Sequence, residues 1–120
     1  MKALTIKEPY ATLIAKNIKK YEFRSWNTKY RGNILIHAAN TLYPISKNFD
    51  YNYRPGEFVA IAKIKDVIKL DEKTGKSIRS ENPKIYGYHE DGYAWVLDDI
   101  KPINNSAKIK GKLGLWNYEI

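Results

Sequence analysis

The sequence predicts a single strand-rich α+β domain, built as a small mixed β-barrel with one main helix near the N-terminus. The chain has 120 residues, of which 43% are hydrophobic, and this is enough for one domain with its own core. Most apolar residues fall in short alternating or continuous runs, which are typical of strands. Only one segment has helical spacing, and closing the strands into a barrel would leave no exposed sheet edge.

The N-terminal segment predicts a strand followed by this helix. Residues 3–6 are apolar apart from one threonine, as in a short buried strand. Residues 8–17 then have helical spacing. Pro9 suits the first helical turn, because its missing N–H would have no partner there. Asn17 predicts the end of the helix, since asparagine tolerates the left-handed conformation better than most residues.

Five further segments predict strands by their alternation or their apolar runs: residues 20–26, 33–38, 57–70, 93–100 and 113–120. In the first of these, Tyr21 and Phe23 are predicted to face the core. The third follows a Pro-Gly turn and is long enough to need a bend or bulge partway along.

The connecting segments are predicted to be less regular. Residues 41–53 are rich in tyrosine and asparagine, and they predict an irregular stretch or a short helix. Residues 71–83 are polar and contain Gly75 and Pro83, which predicts a mobile loop. Because the chain has no internal repeat and no linker, residues 1–120 are predicted to form one domain.

Residue types that are absent exclude several classes of protein. The chain has no cysteine, which excludes disulfide scaffolds, thiol nucleophiles and cysteine-ligated zinc. This composition is compatible with the reducing cytoplasm, which is the predicted location. No apolar run is long enough for a transmembrane helix, and charged residues occur too early for a signal peptide. Two histidines without cysteines give little basis for a metal site, so neither a metal nor a cofactor is predicted.

The net charge of +8 is concentrated at the two ends of the chain. Residues 1–31 carry eight basic and two acidic side chains, and residues 101–120 carry four basic and one acidic. If the fold brings these ends together, they form one basic face that would attract phosphates or an anionic membrane surface. The alternative is a solubility charge spread over a lysine-rich protein.

The densest functional signal lies in residues 19–28. Glu22, Arg24 and Trp26 share the strand face that points away from the predicted core. Lys19 lies just before this strand. An acid, two bases and an indole on one short strand could form a polar pocket with a stacking wall. The alternative is a solvated strand face with a surface ion pair that contributes little.

These residues also carry a family resemblance. Residues 4–24 resemble the opening of the ASCH domain family, whose pattern is GxKxxExR after a short helix that starts near a proline. Lys19, Glu22 and Arg24 match this pattern, and Asn17 stands in the place of the glycine. Further blocks extend the similarity over nearly the whole chain: residues 26–32, 34–37, 92–97 and 110–116.

The resemblance implies a PUA-like β-barrel with a cleft beside the helix, lined by the motif residues. The family is associated with RNA or nucleotide binding, so the predicted function is binding of RNA or a modified nucleoside in a basic cleft. We predict RNA, a nucleoside or a nucleotide as the partner, and no membrane. Some small bacterial members resemble amidohydrolases that act on N4-acetylcytidine, and at least one member is described as a ribonuclease. Hydrolysis of acetylated cytidine or of RNA is therefore the alternative function.

If the protein is an enzyme, the catalytic candidates are Lys19, Glu22 and Arg24. In the amidohydrolase members a threonine nucleophile stands where this chain has Glu22, and the motif lysine matches Lys19. Beside Glu22, Lys19 would stay charged and stabilise negative charge. Glu22 would then be the general base, and Ser25 or Thr28 could supply a hydroxyl.

The predicted binding residues lie around this motif and near the C-terminus: Trp26, Thr28, Lys29, Arg31, Trp95 and Lys112. Trp26 and Trp95 could stack a base, although filling of the core is the alternative for Trp95. Glu22 could accept a hydrogen bond from an exocyclic amine. Lys108 and Lys110 alternate with Lys112, as phosphate contacts or as a solvated edge strand would.

Overall fold

Six strands and two α-helices make up the computed structural model, which describes residues 1–119. The strands are β1 (Lys2–Glu8), β2 (Tyr21–Arg24), β3 (Gly32–Leu42), β4 (Phe58–Lys69), β5 (Tyr93–Pro102) and β6 (Leu115–Asn117). The helices are α1 (Tyr10–Ala15) and α2 (Glu72–Glu81), and a 3-10 helix spans Pro44–Asn48. The strand-rich α+β class is confirmed.

The strands form one open sheet in the order β2-β5-β4-β3-β1-β6. β1 runs parallel to β3, and every other neighbouring pair is antiparallel. The prediction of a closed barrel is wrong, because β2 and β6 are the two edges of this order. These edge strands have only four and three residues. Short edge strands offer little backbone for pairing with another chain, so the sheet limits its exposed edges without closing.

The prediction of a main helix near the N-terminus is also wrong. α1 lies where the helix was predicted, but it has only six residues. The longest helix is the ten-residue α2, in the segment predicted as a mobile loop. Asp71 caps it: its Oδ1 accepts from the Thr74 N–H at 2.8 Å, while the Thr74 hydroxyl accepts from the Asp71 N–H at 2.9 Å. This reciprocal capping stabilises the first turn of a mostly polar helix.

α2 packs closely on the loop that precedes β5. A Cβ atom on Gly75 would lie 2.1 Å from the carbonyl oxygen of His89, so only glycine allows the helix to approach this loop so closely. Ile78 is buried in the same contact, where it joins Leu70 and Tyr86. The helix therefore fixes the position of the loop that carries His89.

The central strands are buried on both faces. Ile34 and Ile36 face a large cluster that includes α1, whereas Leu35 between them faces a second cluster with Phe58 and Trp116. α1 contributes Ile14 and other apolar residues to the large cluster. Neither helix has the length and hydrophobicity needed to cross a bilayer, among the residues that the structure describes.

Several local predictions are confirmed. Asn17 has φ 61° just beyond α1, as a left-handed helix end requires. The register between β4 and β5 shifts at Ile61/Lys63 and again at Ile64/Asp66, which are the irregularities that a strand of this length was predicted to need. The last predicted strand, 113–120, is shorter in the structure, at 115–117. Ile120, its final residue, lies outside the described residues.

Candidate functional site

The turn after α1 brings Lys19 to the start of β2. At Asn17 the chain reverses in the left-handed conformation. The backbone N–H groups of Ile18 and Lys19 then donate to the carbonyl of Leu13 at 3.0 and 3.1 Å. This compact turn holds Lys19 next to the strand that carries the other two motif residues.

Glu22 joins the three charged residues of the motif into one network. Its Oε1 accepts from Lys19 Nζ at 3.0 Å, and its Oε2 accepts from Nε and Nη2 of Arg24 at 3.1 and 2.9 Å. Lys19 is 2% exposed and Glu22 is 7% exposed. The alternative of a solvated strand face with an exposed ion pair therefore does not hold for Lys19 and Glu22, because both side chains are buried.

Backbone carbonyls complete the network. Arg24 Nη2 donates to the carbonyl of Thr5 at 2.9 Å, and Lys19 Nζ donates to the carbonyl of Tyr21. The Lys19 amine also lies 5.5 Å from the ring centroid of Tyr10 and 5.4 Å from that of Phe23. Burial lowers the pKa of Lys19, Glu22 opposes this, and the charge of Arg24 adds to the lowering. The three motif side chains form a fixed polar floor with one excess positive charge when all are ionised.

A cleft of about 660 Å³ opens above this floor, within the range of small-ligand sites. Its walls come from β1, α1, β2, the end of β3, the loop before β5 and the segment before β6. The lining residues are Thr5, Ile6, Lys7, Tyr10, Lys19, Glu22, Phe23, Arg24, Ser25, Trp26, Ala39, Tyr43, Ile85, Gly87, His89, Lys112, Leu113 and Gly114. The described lining includes four Lys or Arg side chains and one carboxylate, Glu22.

Five of the nine predicted site residues line this cleft: Lys19, Glu22, Arg24, Trp26 and Lys112. The other four lie outside it: Thr28, Lys29, Arg31 and Trp95. Thr28 shapes the turn after β2, where its hydroxyl accepts from the Tyr30 N–H at 3.1 Å and its carbonyl accepts from Arg31 at 2.8 Å. Lys29 and Arg31 are exposed on this turn.

The two tryptophans differ in their access to a ligand. Trp95 is 0% exposed and belongs to the large core cluster. Trp26 is 36% exposed and packs edge-on against Trp95, with 4.7 Å between the ring centroids. The Trp95 Nε1 donates to the Trp26 carbonyl at 3.3 Å. Trp95 thus supports the wall from beneath, and Trp26 presents its ring to the cleft.

Lys112 reaches the cleft because its segment packs directly on the sheet. A Cβ atom on Gly111 would lie 2.6 Å from the Thr5 hydroxyl and 3.0 Å from the His37 ring. Lys108, by contrast, pairs with Glu57 at 3.1 Å. Of the alternating lysines Lys108, Lys110 and Lys112, only the last lines the cleft.

His37 is a buried strand histidine, and both of its ring nitrogens are hydrogen-bonded. Its Nε2 donates to the carbonyls of Ile109 and Gly56 at 2.7 and 3.2 Å, so its Nδ1 accepts from the Thr5 hydroxyl at 3.0 Å. The same hydroxyl accepts from Trp116 Nε1 at 3.1 Å. In the described part of the chain, no three His, Asp or Glu side chains are grouped as metal ligands.

Sequence reasoning missed His89 as a lining residue. Its ring lies 4.3 Å from that of Phe23. Burial, followed by the charge of Lys19, lowers the pKa of His89 from its ordinary value of 6.5, so its imidazole is neutral at neutral pH. The only sequence signal was its place in a polar loop just after Gly87, and the packing of α2 was not predictable from that.

Tyr43 and Lys7 form a rim that was also missed. The Tyr43 ring is 41% exposed, and it packs edge-on against Tyr10 at 5.7 Å between centroids. The Lys7 amine lies 5.1 Å from the Tyr43 centroid. The only sequence signal for this rim was a tyrosine-rich stretch in a basic protein. Its contact with β1 is long-range, so the sequence pattern could not show it.

The fold and the cleft together define a small α+β domain whose charged motif follows a short helix. The family model described as ASCH domain matches residues 4–105, so the chain belongs to the ASCH domain family. This confirms the predicted family.

Two curated relatives are human and mouse activating signal cointegrator 1. Each is 21% identical over 128 aligned residues, which cover 97% of this chain and 22% of the relative. The chain thus spans about a fifth of the length of these relatives.

Solved structures of the ASCH protein from Zymomonas mobilis share the fold. Its S128A mutant superposes with a TM-score of 0.64 at 18% identity, covering 98% of this chain and 87% of the other. Another crystal structure of the protein gives 0.59 at 18% identity, with 84% and 68% covered. At this identity the likeness establishes the fold alone.

Proposed function

We propose that this protein binds RNA or a modified nucleoside in the cleft above Lys19, Glu22 and Arg24. The observation that carries this proposal is the buried ionic network at the floor of a cleft that also holds an exposed indole. Holding charged groups out of water costs free energy. A network that faces a cleft of about 660 Å³ supports the proposal of a binding site for a polar ligand.

Each lining group has a role that suits a nucleotide. Trp26 offers a ring for base stacking, which contributes about 1–3 kcal/mol per base. Glu22 has lone pairs beyond those used by Lys19 and Arg24, so it can still accept from an exocyclic amine. On this proposal Arg24 and Lys112, which both line the cleft, contact a phosphate.

The charge of the cleft supports the same ligand class. Its four lining cations come from the two basic ends of the chain: Lys7, Lys19, Arg24 and Lys112. On this proposal Lys29 and Arg31, exposed on the turn after β2, contact phosphates outside the cleft. A polyanion would then be held by groups from both ends.

A binding titration tests the proposal. Anisotropy of a fluorescein-labelled hexanucleotide at low salt should show saturable binding. Trp26→Ala should weaken it about tenfold, since one stacked base is lost. Lys65→Gln is the matched control, because Lys65 is an exposed cation of β4 outside the cleft. Absence of binding at low salt, to RNA and to nucleosides alike, would contradict the proposal.

Hydrolysis of N4-acetylcytidine is the second candidate, and the position of His89 favours it. Both Ser25 and His89 line the cleft. A neutral imidazole can accept the proton of a hydroxyl that attacks an amide carbonyl. The acetyl group would pass to the Ser25 hydroxyl oxygen, and His89 would return the proton to the departing amine of cytidine. Water would then hydrolyse the acetyl ester on Ser25 and release acetate. Glu22 is less suited to be the base, because both its oxygens accept from cations.

Chromatography of the reaction mixture tests this second candidate. The wild type should release cytidine from N4-acetylcytidine, and Ser25→Ala and His89→Gln should each abolish the release while keeping the fold. A wild type without turnover on the acetylated nucleoside or on RNA would leave the cleft as a binding site. With RNA as the substrate, the same chromatography would show ribonuclease activity as shortened RNA products.

A further inference from the structure

A second aromatic surface begins at the rim of the cleft and follows α1. We call it the aromatic ledge and define it as Tyr43, Phe49 and Tyr51 together with Lys7 and Lys16. The rings of Phe49 and Tyr51 are stacked, with 5.3 Å between centroids and 15° between planes. The Lys16 amine lies 4.7 Å from the Tyr51 centroid, as the Lys7 amine lies 5.1 Å from that of Tyr43.

The ledge runs along α1 from one end to the other. Tyr43 contacts Tyr10 at the first residue of α1, and Tyr51 lies under Lys16, the residue that follows its last turn. Six helical residues span about 9 Å. The two ends of α1 are therefore farther apart than the rise of about 3.4 Å between stacked bases, and the tyrosines that contact these ends offer separate stacking positions.

Asp50 lies between Phe49 and Tyr51 in the sequence, but it is not paired with either lysine of the ledge. Among residues 1–119, Lys7 and Lys16 form no salt bridge. Glu8, the acidic residue next to Lys7, is fully buried, and both of its oxygens are bound by Thr12 at 2.8 and 2.6 Å. Each amine therefore rests on a ring, and it can turn to a phosphate while the ring takes a base.

We propose that the ligand is a single RNA strand, which leaves the cleft over Tyr43 and continues along the aromatic ledge. Bases stack on Tyr43 and Tyr51, and phosphates meet Lys7 and Lys16. This inference rests on the proposed function and narrows it, since a free nucleoside would use the cleft alone. Aromatic rings beside cations are typical of surfaces that bind single strands with little sequence preference.

Affinity measured against ligand length tests the ledge. Cytidine monophosphate and cytidylate oligomers of two, four and six nucleotides are titrated by calorimetry. The hexamer should bind at least tenfold more tightly than the monomer, because it adds a stacked base and phosphate contacts. In Tyr51→Ala the hexamer affinity should fall about tenfold, with the monophosphate affinity unchanged.

Lys16→Gln is the second variant, because this exposed position does not endanger the fold. It should reduce the salt slope of hexamer binding by about 0.7, and Lys65→Gln should not. A hexamer that binds no more tightly than the monophosphate would overturn the ledge while leaving the proposed function intact. The ledge would also be overturned if Tyr51→Ala and Lys16→Gln both left hexamer binding unchanged, while Trp26→Ala weakened binding of both the hexamer and the monophosphate. Failure of every ligand to bind would overturn both proposals.

Discussion

Glu22 is the residue on which the geometry of the cleft depends. Lys19 is almost fully buried, and its charge is opposed by the Glu22 carboxylate at 3.0 Å. Arg24 is oriented by the same carboxylate at 2.9 Å. Because removal of one partner leaves a buried charge without compensation, Glu22 should matter more for stability than its single negative charge suggests.

Glu22→Gln should therefore lower the free energy of unfolding by about 3 kcal/mol. Urea denaturation followed by tryptophan fluorescence gives this value. Glu72→Gln is the matched control, since the Glu72–Lys76 pair at 2.7 Å is exposed on α2. If both variants lowered the free energy of unfolding by the same small amount, the Glu22 network would not contribute to stability.

His89 should titrate below its ordinary range. Burial and the charge of Lys19 lower its pKa in the folded state, so the unfolded chain binds this proton more readily. The stability that neutral His89 contributes is present above pH 6.5. It is lost as the pH falls through the lower pKa that His89 has in the folded state. Proton NMR of the imidazole resonances measures the folded pKa directly. His89→Gln assigns the signal, because the chain has two histidines, and a midpoint at or above 6.5 would refute the shift.

The motif residues were predictable because they are close in sequence. Parity places Glu22 and Arg24 on one face of β2, and the turn after α1 brings Lys19 beside them. Parity could not show that Lys19 and Glu22 are buried, or that Phe23 from the other face of β2 also lines the cleft. His89 lies more than sixty residues further along the chain, and no local pattern indicated its contact with Phe23.

At the scale of elements, α2 shows where local signals compete. Gly75 and Pro83 favoured a loop, and the segment has few apolar residues. The spacing of Asp71 and Thr74 was the opposing signal, since these residues form the capping pair. Gly75 is present for a tertiary reason, the close approach to His89, and a single sequence does not distinguish this from a loop glycine.

Gly75→Ala should destabilise the protein although alanine is the better helix former. The added Cβ would meet the His89 carbonyl at 2.1 Å, and overpacking of this kind costs about 1–3 kcal/mol. Thermal unfolding measures the effect. Ser77→Ala, at an exposed position of the same helix, should stabilise slightly through helix propensity. A Gly75→Ala variant as stable as Ser77→Ala would mean that α2 does not press on the loop.

At the scale of the molecule, strand positions were predictable and their pairing was not. Alternation and apolar runs located all six strands, because these are local properties. The position of β1 between β3 and β6 depends on contacts across most of the chain. β2 and β6 are short because backbone pairing stops there, and the apolar pattern does not show where it stops. Their short lengths leave the sheet open.

The distribution of cations over both chain ends predicts a steep salt dependence for RNA binding. Three phosphate contacts on a single strand would give a slope of about −2 for log K against log salt. Titration of the hexamer between low and moderate salt measures this slope. Lys112→Gln, at the cleft, should make it shallower by about 0.7, whereas Lys65→Gln should leave it unchanged. A slope near zero would show that phosphates are not bound.

The pairing of β1 with β6 has a consequence for how the domain is made. Lys2 lies opposite Asn117, and the N-terminal amine donates to the Tyr118 carbonyl at 2.9 Å. The first strand of the domain to leave the ribosome thus keeps one edge unpaired until the last strand has emerged. Lys112 and Leu113, which complete the cleft wall, arrive only just before β6. The cleft wall of a nascent chain is therefore incomplete until the segment before β6 has been made.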